Sequence, residues 1–200
     1  MKNSILILAL IMAPLGAQTL SQSERDFAIS NFHASRKMFL DSIAGLSEAQ
    51  WKFKPAPDRW SIAECAEHIA QSEDMLYQLV TEKILKSEPA PREKPASREQ
   101  DEALLKGVRD RSVKANAPEF LQPTGRWPVR KEIVAHFNES RDRSIDFVKT
   151  TQDDLRAHST PHPKLGTLDA YQWLVLISGH TERHTAQIGE VKADPGFPKN

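Results

Sequence analysis

The chain has 200 residues, 39% hydrophobic and 27% charged, which fits one globular domain with a substantial core. Its 27 basic and 27 acidic residues cancel, and the basic ones are dispersed, so neither nucleic acid nor an anionic membrane surface is an expected partner. Cys65 is the only cysteine, which excludes an internal disulfide, a cysteine-rich zinc site and a redox pair.

The N-terminus departs from the rest. Lys2 precedes the apolar run ILILALIMA (5–13) and then PLGAQ, with the small residue Ala17 at the cleavage position. The expectation is a cleaved Sec-type signal peptide over 1–17 and a domain over 18–200 that is exported, periplasmic or secreted. The run 5–17 is too short for a spanning helix, which needs about 20 apolar residues, so no stable membrane anchoring is expected after cleavage.

Four stretches then carry helical periodicity. The first extends from about Ser21 to Leu46 on Ile29, Phe32, Phe39, Ile43 and Leu46. SEAQWKFKPAPDR (47–59), with Pro55 and Pro57, reads as the connection that ends it. The second opens at WSIAECAEHI, where Ser61 and Glu64 form a capping box and Trp60 can staple onto Cys65. Ile62, Cys65, Ala66, Ile69, Leu76, Val80 and Ile84 are its apolar stripe. Segment 88–128 is broken by Pro89, Pro91, Pro95, Pro118, Pro123 and Pro128 around one short amphipathic piece, DEALLKGV (101–108). Its length implies a crossover along the bundle, more mobile than the helices. The third helix extends from about Val129 to Thr151 on Ile133, Phe137, Ser140, Ser144, Phe147 and Val148. After HSTPHPKLG, Thr167 is the expected cap of the fourth, which reaches about Ala193. No stretch alternates as a strand. The fold class is all-α: a four-helix bundle with one long crossover between the second and third helices.

On the fourth helix Trp173, Leu176, Ile177, Ile188 and Val191 define the buried face, and His180, His184 and Gln187 share it. Two imidazoles one turn apart on such a face favour a metal-ligand pair over two hydrogen-bonded core histidines. Neither zinc-peptidase pattern fits, because Thr181 follows the first histidine and Arg183 precedes the second; Glu182 points off the ligand face toward solvent. The third ligand must come from another helix, and His68, at the edge of the second helix's stripe, is the best placed. His136 is a weaker candidate for a fourth, Gln187 can orient a ligand, His33 reads as surface, and His158 and His162 as loop residues.

WSIAECAEH (60–68) and GHTERHTAQI (179–188), with GLSEAQWKFKPAPDRWS (45–61) and HPKLGTLDAYQWL (162–174), resemble the DinB/YfiT-like superfamily of four-helix bundles from about Ser23 to Val191. The resemblance implies a metal triad of His68, His180 and His184. Zinc is the first choice, with nickel or iron as alternatives, because imidazoles suit all three. Three neutral imidazoles leave one position open on a tetrahedral ion, as in catalytic sites. The implied activity is a metal-dependent transferase or hydrolase acting on a small molecule. Export sets the chain apart from thiol-transferring relatives, which work in a thiol-rich cytoplasm. The competing class is a non-catalytic metal-binding module in which the triad staples the second helix to the fourth. The chain lacks the Glu-x-x-His pairs of a di-iron bundle, and it is compatible with a homodimer.

Overall fold

A computed structural model describes residues 18–90, 97–112 and 116–199; the expected signal peptide, 1–17, lies outside the described residues. Helix α1 (Gln22–Ile43) starts at a capping box of Ser21 and Glu24. The expected connection after it holds a short helix, α2 (Glu48–Lys52), capped by Ser47 and Gln50. Helix α3 (Ile62–Gln78) starts at the Ser61–Glu64 box and continues through a π turn (Leu79–Lys83) and a 3-10 turn (Ile84–Lys86). Every residue of its expected stripe is buried. The crossover holds α4 (Arg98–Arg109), capped by Ser97 and Gln100, and a 3-10 turn (Glu119–Leu121). Helix α5 (Arg130–Thr150) leads into an antiparallel hairpin, β1 (Ser159–His162) and β2 (Gly166–Asp169), and then α6 (Ala170–Lys192). The cap of α6 is Asp169 rather than Thr167. Thr167 pairs with Pro161 in the hairpin, while Asp169 Oδ1 accepts the Gln172 amide at 2.7 Å. No helix among the described residues is long and apolar enough to cross a membrane.

The contacts along α1, α3, α5 and α6 fix their directions. Tyr171 Oη donates to the Glu24 carbonyl at 2.7 Å and Lys192 to that of Ser42, so α1 and α6 are parallel. Glu67 meets residues 124–126 and Asp74 meets His136 and Ser140, so α3 and α5 are parallel as well. Arg25 reaches the Thr151 carbonyl at 2.8 Å, and Arg130 that of Leu46 at 2.8 Å, making α5 antiparallel to α1. Helix α6 packs on α1, α3 and α4, and α5 packs on α1 and α3. The bundle therefore runs up, down, down, up. Parallel neighbours α3 and α5 require a connection that returns the length of the bundle, which is why the crossover is long.

The crossover is more than a tether. Helix α4 climbs between α1 and α6: Arg98 lies 3.9 Å over the Phe27 ring and bonds the Ser23 carbonyl at 2.9 Å, and Arg109 bonds Asn31 at 3.1 Å and Glu182 at 2.6 Å. Leu104, Leu105 and Val108 are buried. Their approach needs bare backbone, because a Cβ on Gly179 would lie 2.9 Å from Leu105 Cδ2. At the base, Gln18 N donates to Asp154 Oδ2 at 2.9 Å, and Arg156 joins Glu24, Asp101 and Asp169.

The core is two apolar clusters, one around Phe32, Leu76, Ile145 and Leu174, the other around Phe39, Ile69, Phe137 and Ile188. Between them lies a polar layer to which all four long helices contribute. Arg141 and Glu73, 0% and 1% exposed, form a two-pronged ion pair there. Arg141 also donates to the Phe32 carbonyl (2.6 Å), Ser35 Oγ (2.6 Å) and Thr181 Oγ1 (2.9 Å), and Thr181 Oγ1 is 3.0 Å from Glu73. Removing one member of a buried, hydrogen-bonded pair strands the other charge and costs about 3–5 kcal/mol. Arg141→Ala and Glu73→Ala should each lose that much in chemical denaturation, whereas Arg141→Met with Glu73→Leu should lose less than either. Single variants as stable as the parent would contradict this account of the layer.

Candidate functional site

The three histidines predicted from spacing and resemblance meet just beyond the polar layer. The start of α3 carries His68 to the last turns of α6, and Thr181, tied to Arg141 and Glu73, fixes the rotation of the turn that bears His180 and His184. One ring nitrogen from each histidine lies within 4.8 Å of the others, and among the described residues no other His, Cys, Asp or Glu group of this kind forms. His68 Nε2 and His180 Nε2 are 3.2 Å apart. Two nitrogens at 2.0–2.1 Å from a tetrahedral ion are about 3.3–3.4 Å apart, so the spacing fits a shared ion.

The outer contacts decide which ring atoms face inward. His68 Nδ1 lies 2.9 Å from the Leu121 carbonyl, an acceptor only, so this nitrogen carries the proton and Nε2 offers a lone pair. His184 Nδ1 lies 2.9 Å from Gln187 Oε1. Arg111 donates to that same oxygen at 3.4 Å, which identifies it as the amide oxygen and makes His184 Nδ1 the donor. Arg111 is itself held by Glu190 through bonds of 2.5 and 2.8 Å. Burial holds the His68 imidazolium pKa below its ordinary value, and burial together with neighbouring rings and guanidinium groups holds His180 and His184 well below theirs. Neutral rings with inward lone pairs are what a metal requires. His68 is 2% exposed, and His180 and His184 are half-buried. The Trp60 ring walls it, with centroids 4.9 Å from His68 and 6.0 Å, stacked, from His184.

The other candidates lie elsewhere. His136 bonds Asp74 at 2.6 Å and faces Trp127, so it is not a fourth ligand. His33 is exposed, and His158 bonds the Ser87 carbonyl. His162 accepts two amides of its own turn and lies 5.1 Å from Trp173. Burial pushes the Cys65 thiol up to about 12, and its sulfur does not join the histidine cluster. Glu182 is not solvated: α4 covers it, and it pairs with Arg109 at 2.6 Å with its side chain 13% exposed. Sequence reasoning found Gln187 but missed Leu121 and Arg111. A backbone acceptor has no sequence signature, and Arg111 sits in a charged run that reads as surface.

Residues 31–188 match the DinB superfamily, and the chain belongs to that family. It is 26% identical to the uncharacterized protein YuaE of Bacillus subtilis (strain 168) over 164 residues, 82% of this chain and 96% of YuaE. The fold is similar to that of YfiT from Bacillus subtilis, a probable metal-dependent hydrolase with an unusual four-helix bundle topology. The TM-score is 0.56 at 17% identity, over 90% of this chain and 93% of that one.

Outer partners of metal-bound histidines typically contribute 10–100-fold in affinity. Gln187→Leu should therefore raise the dissociation constant of a divalent ion offered to the three histidines by roughly 10–100-fold, measured by competition with a chromophoric chelator. An unchanged constant would show that the Gln187 contact does not orient His184.

Proposed function

We propose that this chain is an exported, metal-dependent hydrolase of a small molecule, with a divalent ion held by His68, His180 and His184. The observation that carries the reading is the convergence of three ring nitrogens, two of them set by outer partners to present lone pairs inward. Zinc is the proposed ion, ahead of nickel and iron. When bound, it would supply Lewis acidity toward a substrate oxygen and acidify a bound water. A set of three protein ligands, which leaves one tetrahedral position open, favours a catalytic site over a closed staple between α3 and α6. Hydrolysis is preferred to group transfer because the structural neighbour YfiT is described as a hydrolase and no thiol-recognition pattern stands out in the chain.

The residues around the triad have separable tasks. Leu121 and Gln187 fix the ring orientations of His68 and His184, and Trp60 offers a flat apolar wall to a substrate. Glu182, Glu73 and Glu67 are engaged by Arg109, by Arg141 and by the 124–126 amides respectively, so none is offered as a helix-borne general base. Export rests on the charged, apolar and small-residue pattern of 1–17.

Two measurements test the reading. His68→Ala, His180→Ala and His184→Ala should each lose zinc on elemental analysis, while His162→Ala retains it. Zinc at 100 times its dissociation constant should stabilise the parent by about 2.7 kcal/mol and the three triad variants by much less. Retention of zinc by His68→Ala together with its loss from His162→Ala would reassign the site. Intact-mass analysis of the host's exported fraction should give a chain beginning at Gln18; a full-length species confined to the cytoplasm would refute export.

A further inference from the structure

The charge around the triad does not balance. Three neutral imidazoles contribute no negative charge to a divalent ion, and the charged groups nearest the open side are mainly cationic. Arg111 and Arg59 share one carboxylate, Glu190. Arg111 holds it from two nitrogens at 2.5 and 2.8 Å, while Arg59 stands off at 3.7 Å. Glu190 is the only side-chain partner of Arg59 among the described residues, and the Arg59 side chain is 47% exposed. Arg183, next in sequence to His184, is a third guanidinium, but it donates to the carbonyls of Val108 and Asp110 and has the Asp110 carboxylate beside it, so it adds nothing to the imbalance. The Asp110 carboxylate takes the Ser112 amide at 2.8 Å.

Both arginines that share Glu190 are tied to the triad. Arg111 bonds Gln187, which bonds His184. Arg59 precedes Trp60, whose ring stacks on His184 and leans on His68. One side of the cluster thus offers a flat apolar wall and two guanidinium groups, those of Arg59 and Arg111, that share one carboxylate. Guanidinium forks match carboxylate and phosphate oxygens, and a tryptophan face takes the apolar body attached to them.

We propose that the mouth beside His184, formed by Arg59, Trp60, Arg111 and Gln187, binds an anionic oxygen group of the substrate, a carboxylate or a phosphate. The inference rests on the three-histidine metal reading for the substrate's second point of attachment. Arg59 makes the direct contact, because its only charged partner among the described residues is 3.7 Å away and already held by Arg111. Arg111 supplies the fixed charge behind it.

The zinc-loaded protein is titrated calorimetrically with succinate, inorganic phosphate and neutral 1,4-butanediol, at low and high salt. The anion that matches should bind and weaken with salt, and the diol should not bind. A preference for succinate identifies a carboxylate, and a preference for phosphate identifies a phosphate. Arg59→Gln should weaken that binding roughly tenfold or more, the value of a charged hydrogen bond, with zinc content unchanged, and Arg111→Gln should weaken it as much in protein kept saturated with zinc. A zinc-loaded parent that binds neither anion, or an Arg59→Gln, Arg111→Gln double variant that binds as the parent does, overturns the proposal and leaves the triad standing. A parent that takes up no zinc refutes the metal reading instead. The same titration of that zinc-free protein then decides the anion site, with arginine-dependent binding supporting it and no binding overturning it.

Discussion

The structure turns on one guanidinium. All five donor positions of Arg141 are used within the core: two on Glu73 of α3, two on Phe32 and Ser35 of α1, and one on Thr181 of α6. A charge this deep is tolerated because no donor is left unmade and the carboxylate is in contact. Apolar contacts between helices are broad in rotation and slide; a set of short directional bonds is not. The layer therefore fixes how each helix is turned about its own axis. For α6 this matters most, since Thr181 lies between His180 and His184, and a rotation of one residue, about 100°, would carry both imidazoles off the seam with α3.

The long connection follows from the same arrangement and is then used twice. Parallel α3 and α5 force the chain to travel back along the bundle, and α4 makes that journey as a helix seated on the bare backbone of Gly179. Beyond α4 the segment passes over the end of the bundle that holds the histidines. There Leu121 orients His68 and Arg111 backs Gln187, while the buried carboxylate of Glu67 gathers the amides of Thr124, Gly125 and Arg126. Gly125, at φ +76, takes the left-handed turn that aims its amide there. A topological requirement has become the outer shell of the site.

Much of this was legible in the residues, and the failures share a cause. The four long helices follow from apolar spacing and the Ser61–Glu64 box, and His180 and His184 from a shared stripe. Short elements were lost or only partly read. The Ser47–Gln50 box of α2 lies too close to Pro55 and Pro57 to stand out, and α4 was legible as the amphipathic piece 101–108 but without its Ser97–Gln100 box. The four-residue strands are held by their turn and by each other's backbone, which leaves no alternation to read. Asp169 and Gln172 form a box that Thr167, two residues earlier, obscures. Arg141 and Glu182 were missed for a different reason. A charged side chain defaults to solvent unless its partner is known, and Glu73, Thr181 and Arg109 come from distant parts of the chain.

At the base of the bundle, Gln18 N meets Asp154, whose other oxygen is already fixed by the amides of Arg156 and Ala157. In a longer chain that nitrogen belongs to a peptide bond, with one hydrogen and no charge. Cleavage after Ala17, as proposed, would make it the chain's own terminal ammonium, facing a carboxylate held ready 2.9 Å away. The gain for so exposed a pair is small, about 0–1 kcal/mol, but it exists only after the cut. A precursor would then fold without it, and the released domain would close its own end on the loop that carries Arg156. The mass that locates the cut also decides the charge of this contact.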